Sequence, residues 1–123
     1  MRFIPTRIHG ILDYVMGSVL IVVPMLFVFH RGAESALPIT LGFVLIIYSS
    51  LTDYEMGAMG FTPMRVHLVL DVISGLLLIA SPWLFGFASH LWMPHVVLGA
   101  LMVGAALVTR TIPEEIVGSG FGV

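Results

Sequence analysis

The chain has 123 residues, of which 59% are hydrophobic and 10% charged, with a formal net charge of -2. Soluble domains carry roughly 25% charged and 45–50% apolar residues, so this composition excludes a disordered chain, a nucleic-acid-binding domain and most soluble enzymes; it points to a small integral membrane protein. All five basic residues are arginine and there is no cysteine, which excludes a basic phosphate-binding patch, disulfides, thiolate metal sites and cysteine nucleophiles.

The length allows one domain. A transmembrane helix needs about 20 mostly apolar residues, and four stretches reach or approach this: Ile8–Phe29, Leu37 to about Leu51, Val66–Phe87 and Leu91–Val108. The first follows two arginines, as the core of a signal peptide would. Its apolar run is too long for that, contains Asp13 and lacks a small-residue cleavage site, so it is expected to stay as a helix. The polar breaks His30–Ser35, Thr52–Met64 and Ala88–His90 are short, which forces neighbouring helices to run antiparallel. Long apolar runs without alternation do not build a barrel. Arg2, Arg7, Arg65 and Arg110 fall on one side of the four spans and Arg31 on the other, so the positive-inside rule places both termini in the cytoplasm. Trp83 and Trp92 lie near the opposite face, as an interfacial aromatic belt would.

An internal repeat organises the chain. Phe3, Pro5, Arg7, His9, Leu12 and Asp13 recur at one constant offset as Phe61, Pro63, Arg65, His67, Leu70 and Asp71. The match continues through Gly17 and Gly75, Leu20 and Leu78, Pro24 and Pro82, and Phe29 and Phe87. The second helices match more weakly: Pro38 with Pro94, Leu41-Gly42 with Leu98-Gly99, and Thr52 with Thr109. The expected architecture is therefore all-α, a four-transmembrane-helix bundle built from two tandem helical hairpins, repeat 1 at 1–58 and repeat 2 at 59–123. An even number of spans per repeat sets the pseudo-twofold axis along the membrane normal.

Arginine, histidine and aspartate within or beside a membrane span are costly, so each needs a reason. His9 and Asp13 are four apart and share a helix face, as do His67 and Asp71. The ends of the second and fourth helices add Asp53 and Arg110, with Thr52 and Thr109 beside them. The topology gathers Arg7, His9, Asp13, Asp53, Arg65, His67, Asp71 and Arg110 at one end of the bundle. Such a cluster can staple helix ends together by hydrogen bonds and ion pairs. It can also relay protons or ions, although the apolar middle of each helix, such as Val19–Val23, shows no continuous path. His9 and His67 could alternatively ligate one noncovalent haem iron from both sides. No cofactor is expected ahead of that reading.

At the other face, His30, His90 and His95 fit no tight helical ligand spacing, so no metal site is expected there. The eight methionines, Met16, Met25, Met93 and Met102 among them, are scattered rather than clustered as a copper relay would require. Gly17, Gly75 and the Ala100–Gly104 pair suit close helix packing within the bundle or between copies. Pro24 and Pro82 fall in the last turns of the long helices, where they bend or end them. The segment Thr111–Val123 reads as a mobile tail.

The segment Ala80-Ser81-Pro82-Trp83-Leu84-Phe85-Gly86-Phe87 resembles the signature of SPW-repeat membrane proteins, a bacterial family named for its Ser-Pro-Trp tripeptide, here Ser81, Pro82 and Trp83. The counterpart in the first repeat, Val23-Pro24-Met25, keeps only the proline. The paired hairpins and the twice-used Arg-x-His-x-x-Leu-Asp also resemble this family, over nearly the whole chain. The resemblance implies an inner-membrane protein and brings no catalytic residues with it. The sequence thus supports a non-enzymatic structural or interaction module in the lipid bilayer, as a homo-oligomer or an accessory subunit of a larger membrane complex. Proton-coupled or ion transport through the repeated site and haem binding are the alternatives.

Overall fold

The structure is a computed structural model that describes residues 2–26 and 32–113. Four helices follow one another: α1 (Thr6–Leu26), α2 (Ala33–Leu51), α3 (Met64–Leu84) and α4 (Met93–Val108). No strand is present among the described residues, only two isolated bridges. α1 packs mainly on α2 and α3 on α4; α2 touches α3 less, and α1 barely meets α4. Phe29 and His30 lie outside the described residues, as does the tail beyond Pro113.

Among the described residues, two boundaries differ from the sequence reading by more than two residues. α2 begins at Ala33 rather than Leu37, taking in Glu34, which is buried. The apolar count alone stopped the span at the carboxylate, but this carboxylate has a partner inside the fold. α3 ends at Leu84 rather than Phe87. The Phe85 N–H bonds Ser81 O, the Phe87 and Ala88 N–H groups turn back to Pro82 O, and Gly86 adopts φ 78, so the chain leaves the helix in a tight turn. Position 86 thus uses the positive φ that glycine alone takes without strain.

The helix surfaces are inverted relative to a soluble protein. Val15, Val22, Phe43, Val44, Ile47, Val69, Ile73, Leu76, Leu101 and Leu107 are exposed on the outside, whereas His9, Asp13, His67 and Asp71 are buried. An apolar exterior of this extent marks a surface meant for something other than water. α1, α2 and α3 are each long and apolar enough to cross a membrane; α4, at 16 residues, is apolar but shorter.

The helices of each hairpin approach closely at paired glycines. A Cβ on Gly42 would lie 2.6 Å from Gly17 O, and one on Gly99 would lie 2.5 Å from Gly75 O. Backbone occupies those positions, so a side chain could enter only by pushing the helices apart. Beyond these crossings the apolar core is small. Leu20, Leu45, Tyr48, Leu78 and Met102 form its middle; Tyr54, Met64, Leu68 and Ala106 form a second cluster toward the polar end.

The ends of the helices are tied crosswise. Phe3 and Ile4 donate to Val108 O, and Arg110 donates to Ile4 O at 2.9 Å. At the aligned positions, Phe61 and Thr62 donate to Leu51 O, and Asp53 donates to Thr62 O at 2.7 Å. Each set joins the segment before a long helix to the end of the short helix of the other half. Arg2 adds a cap, donating from one guanidinium nitrogen to Ala106 O and Thr109 O at 2.8 and 2.7 Å, where the last carbonyls of α4 lack helical partners.

Candidate functional site

The prolines at 5 and 63, which have no N–H to satisfy, stand just before α1 and α3, and their carbonyls accept from His9 and His67 N–H. One turn further, Asp13 and Asp71 return to the same face as the histidines. Because α1 and α3 turn these faces toward each other, the four side chains meet in one buried tetrad. His9 Nε2 lies 2.7 Å from Asp71 Oδ2 and 3.0 Å from Asp13 Oδ1. His67 Nε2 lies 2.9 Å from Asp13 Oδ2 and 3.3 Å from Asp71 Oδ2, and neither approach has hydrogen-bond alignment. The imidazoles stand edge to face, with centroids 5.6 Å apart.

Each imidazole is held from behind by a threonine of the other half. His9 Nδ1 is 2.7 Å from Thr109 Oγ1, and His67 Nδ1 is 2.8 Å from Thr52 Oγ1. Both hydroxyls donate their own hydrogen one turn back along the helix, Thr109 to Ala105 O at 2.6 Å and Thr52 to Tyr48 O at 2.7 Å. A hydroxyl whose hydrogen is committed can only accept. Both Nδ1 atoms therefore carry a proton, and both Nε2 atoms face the tetrad.

Two phenols hold the carboxylates. The Tyr48 hydroxyl donates to Asp71 Oδ1, and the Tyr54 hydroxyl donates to Asp13 Oδ2 at 3.1 Å. Burial, followed by the charge of Asp13, pushes the Tyr54 phenol above the usual tyrosine range, which keeps it a donor. Tyr48 has no phenol opposite it: the aligned position on α4 is Ala105. Beside Ala105, where α1 and α4 barely touch, a cavity of about 310 Å³ runs past Val15, Val19 and Leu101 to His9, Asp13 and Asp71.

The structure brings together four of the eight residues that the sequence grouped. Arg7, Asp53, Arg65 and Arg110 are exposed and lie outside the tetrad. The reason is helical phase: Arg7 and Arg65 precede the histidines by two residues, about 200° around the axis, and so face outward. Tyr48, Tyr54 and the supporting role of the two threonines were not read from the sequence. Thr6 also donates to Glu55 Oε1 at 2.6 Å beside this end of the bundle.

At the opposite end, His90 Nε2 lies 2.9 Å from Glu34 Oε2, and His95 Nε2 donates to Glu34 O at 2.9 Å. These two histidines secure the start of α2. Glu34, which the sequence reading placed in a loop, is their common partner. Ser81 and Pro82 are buried, with the Ser81 hydroxyl donating to Leu78 O at 2.7 Å, while Trp83 is exposed.

Three long apolar helices around a buried polar centre define a small helical membrane protein. The profile of the SPW repeat domain matches residues 7–109, a span that takes in all the tetrad residues and both threonines, and the chain belongs to that family. No match was found among curated proteins or among solved structures.

Proposed function

We propose that the chain is a non-enzymatic membrane module in which the buried tetrad clasps two tandem hairpins to each other. The observation that carries this is that the shortest contact of each tetrad histidine to a carboxylate, and its contact to a threonine, crosses between the halves: His9 to Asp71, His67 to Asp13, His9 to Thr109 and His67 to Thr52. Within each hairpin, glycine crossings and apolar packing do the joining. Between hairpins the helices touch less, and the polar groups add to the shared core of Leu20, Leu45, Tyr48, Leu78 and Met102. Breaking a buried pair by removing one partner costs about 3–5 kcal/mol, so loss of either side of the clasp should be strongly felt.

The matched crosswise bonds at Ile4 and Thr62 support a pseudo-twofold axis along the membrane normal. All four helices then span, with α4 covering about 24 Å at 1.5 Å per residue and Trp92 and Thr109 extending it. The arginine distribution supports cytoplasmic termini in an inner membrane. The wide apolar exterior suits lipid, a second copy or a larger membrane complex. Thermal unfolding in detergent tests the clasp: Asp71→Asn should lower the midpoint well below wild type, and an unchanged midpoint would remove the reading.

The cavity beside Ala105 favours a second reading, in which the tetrad exchanges a proton with a lipid-soluble hydroxyl compound. On the α2–α3 side a tyrosine hydroxyl fills the corresponding place and donates to Asp71. On the α1–α4 side the space is open, its walls are apolar, and it ends on Asp13. A photoreactive phenol in vesicles should label Leu12, Met16 or Met102 in the wild type and not in Ala105→Tyr; equal labelling of both would exclude it. The haem reading is weaker, because Asp13 and Asp71 occupy the space between the two Nε2 atoms that a porphyrin would need.

A further inference from the structure

Two carboxylates buried in an apolar bundle stay ionised only with positive charge beside them. Two imidazolium protons would supply it, and so would one divalent cation. We infer that the tetrad is a metal site, in which His9 Nε2, His67 Nε2 and one oxygen each of Asp13 and Asp71 bind a divalent transition-metal ion.

The histidines carry the first part of the argument. With Thr52 and Thr109 donating to backbone carbonyls, each imidazole must give its Nδ1–H to the threonine oxygen. That leaves Nε2 aimed inward with its tautomer fixed. Metal-bound histidines are held in this way, the far ring nitrogen donating to an outer partner that sets ring orientation. The carboxylates have outer partners too, in the Tyr48 and Tyr54 hydroxyls. The two histidines and Asp71 therefore have a separate rear contact; at Asp13 the Tyr54 hydroxyl shares Oδ2 with His67, which leaves Oδ1, beside His9, as the oxygen free to bind.

Spacing carries the second part. One donor atom from each residue can be chosen so that all lie within 4.8 Å of one another. Ligands at about 2.0–2.1 Å from a tetrahedral ion stand about 3.3 Å apart. The nitrogen–oxygen approaches here run from 2.7 to 3.3 Å, with His9 meeting Asp13 through Oδ1 and His67 meeting it through Oδ2, so to seat one ion the Asp13 carboxylate must turn and the shortest approach must open by about 0.6 Å on that same geometry.

The state of His67 carries the third. Its Nε2 is fully buried and 2.9 Å from Asp13 Oδ2, yet it forms no aligned hydrogen bond with that oxygen. His9 Nε2, by contrast, is aligned on Asp71 Oδ2 at 2.7 Å, a bond that the ion would replace. A lone pair directed at a cation between the ligands requires no such alignment.

The donor set names the class of ion. Two imidazoles and two carboxylates suit Zn2+, Fe2+ or Mn2+. Ca2+ would take six to eight oxygens, and Cu(I) would select sulfur. With neutral histidines, a divalent ion and two carboxylates sum to zero, so no net charge remains in the bundle. This inference deepens the clasp reading by naming what balances its carboxylates.

The full chain, purified in detergent through an affinity tag that contains no histidine and without chelators, should carry about one equivalent of a transition metal by elemental analysis. After stripping, Co2+ should restore one equivalent and give visible d–d bands. Thr52→Val leaves all four donors in place and should weaken Co2+ binding 10- to 100-fold. Folded wild-type protein with neither stoichiometric metal nor Co2+ bands would overturn the inference, as would bands that persist unchanged in a folded His67→Gln variant. Failure of the clasp is separable: if Asp71→Asn keeps full thermal stability while wild type binds Co2+, the metal site stands without the clasp.

Discussion

Thr52 Oγ1 lies 2.8 Å from His67 Nδ1 while giving its own hydrogen to Tyr48 O at 2.7 Å. A residue that ends one hairpin thereby fixes the ring of a histidine that begins the next, down to the position of its proton. Thr109 does the same for His9. Chain order, helix ends and side-chain chemistry converge on this relationship.

Thr52→Val is the near-isosteric test of it. The variant leaves the His67 Nδ1–H buried without an acceptor, which costs about 1–3 kcal/mol. The nitrogen resonances of His67 should report a proton on Nδ1 in the wild type and a changed state in the variant. An unchanged spectrum together with unchanged stability would show that the threonine does not hold the ring.

Tyr48→Phe and Tyr54→Phe remove one donor each from Asp71 and Asp13. Each should lower stability by about 1.5–3 kcal/mol, the range for hydrogen bonds to charged groups. Both rings keep their packing in the phenylalanine variants, Tyr48 in the central core and Tyr54 in the cluster toward the polar end, so the loss reads the hydroxyl alone. Thermal midpoints in one detergent compare the two directly.

The glycine crossings predict a different kind of sensitivity. In Gly99→Ala the new methyl would stand 2.5 Å from Gly75 O and 3.0 Å from Ile79 N. Both are backbone atoms, so α3 and α4 must separate, at about 1–3 kcal/mol. Gly104→Ala is the control, since nothing lies within 4 Å of a Cβ there. Equal stability of the two variants would contradict the close approach.

Membrane topology can be read by labelling, because the chain has no cysteine of its own. Asp53 and Ser89 are exposed in the α2–α3 and α3–α4 connections. With four spans, an impermeant maleimide added to sealed vesicles should reach Asp53→Cys and Ser89→Cys from opposite sides. Labelling of both from one side would remove α3 as a span.

Much of this site was legible in the sequence. Histidine and aspartate four apart, used twice on apolar helices, put both pairs on one face and marked that face as inward, since lipid offers them no partner. The exterior of the bundle followed from composition. Arg7 and Arg65 were grouped with them by nearness along the chain, although a two-residue step turns a helix to its far side. Tyr48 escaped notice because its role depends on how α2 rotates against α3, and a mostly apolar helix carries little signal of that rotation; Tyr54 escaped because it lies in the α2–α3 connection and folds back onto Asp13 of α1. Glu34 was missed for a similar reason: its partners, His90 and His95, come from a distant connection and helix.

A double-mutant cycle on His9 and Asp71 tests the clasp most directly, since these residues belong to different hairpins and meet at 2.7 Å. With His9→Gln, Asp71→Asn and the double variant, unfolding in detergent should give a coupling energy of at least about 1 kcal/mol, within the range for residues of one polar network. Strictly additive losses would mean that the two side chains stabilise their own hairpins independently, and the clasp would be contradicted.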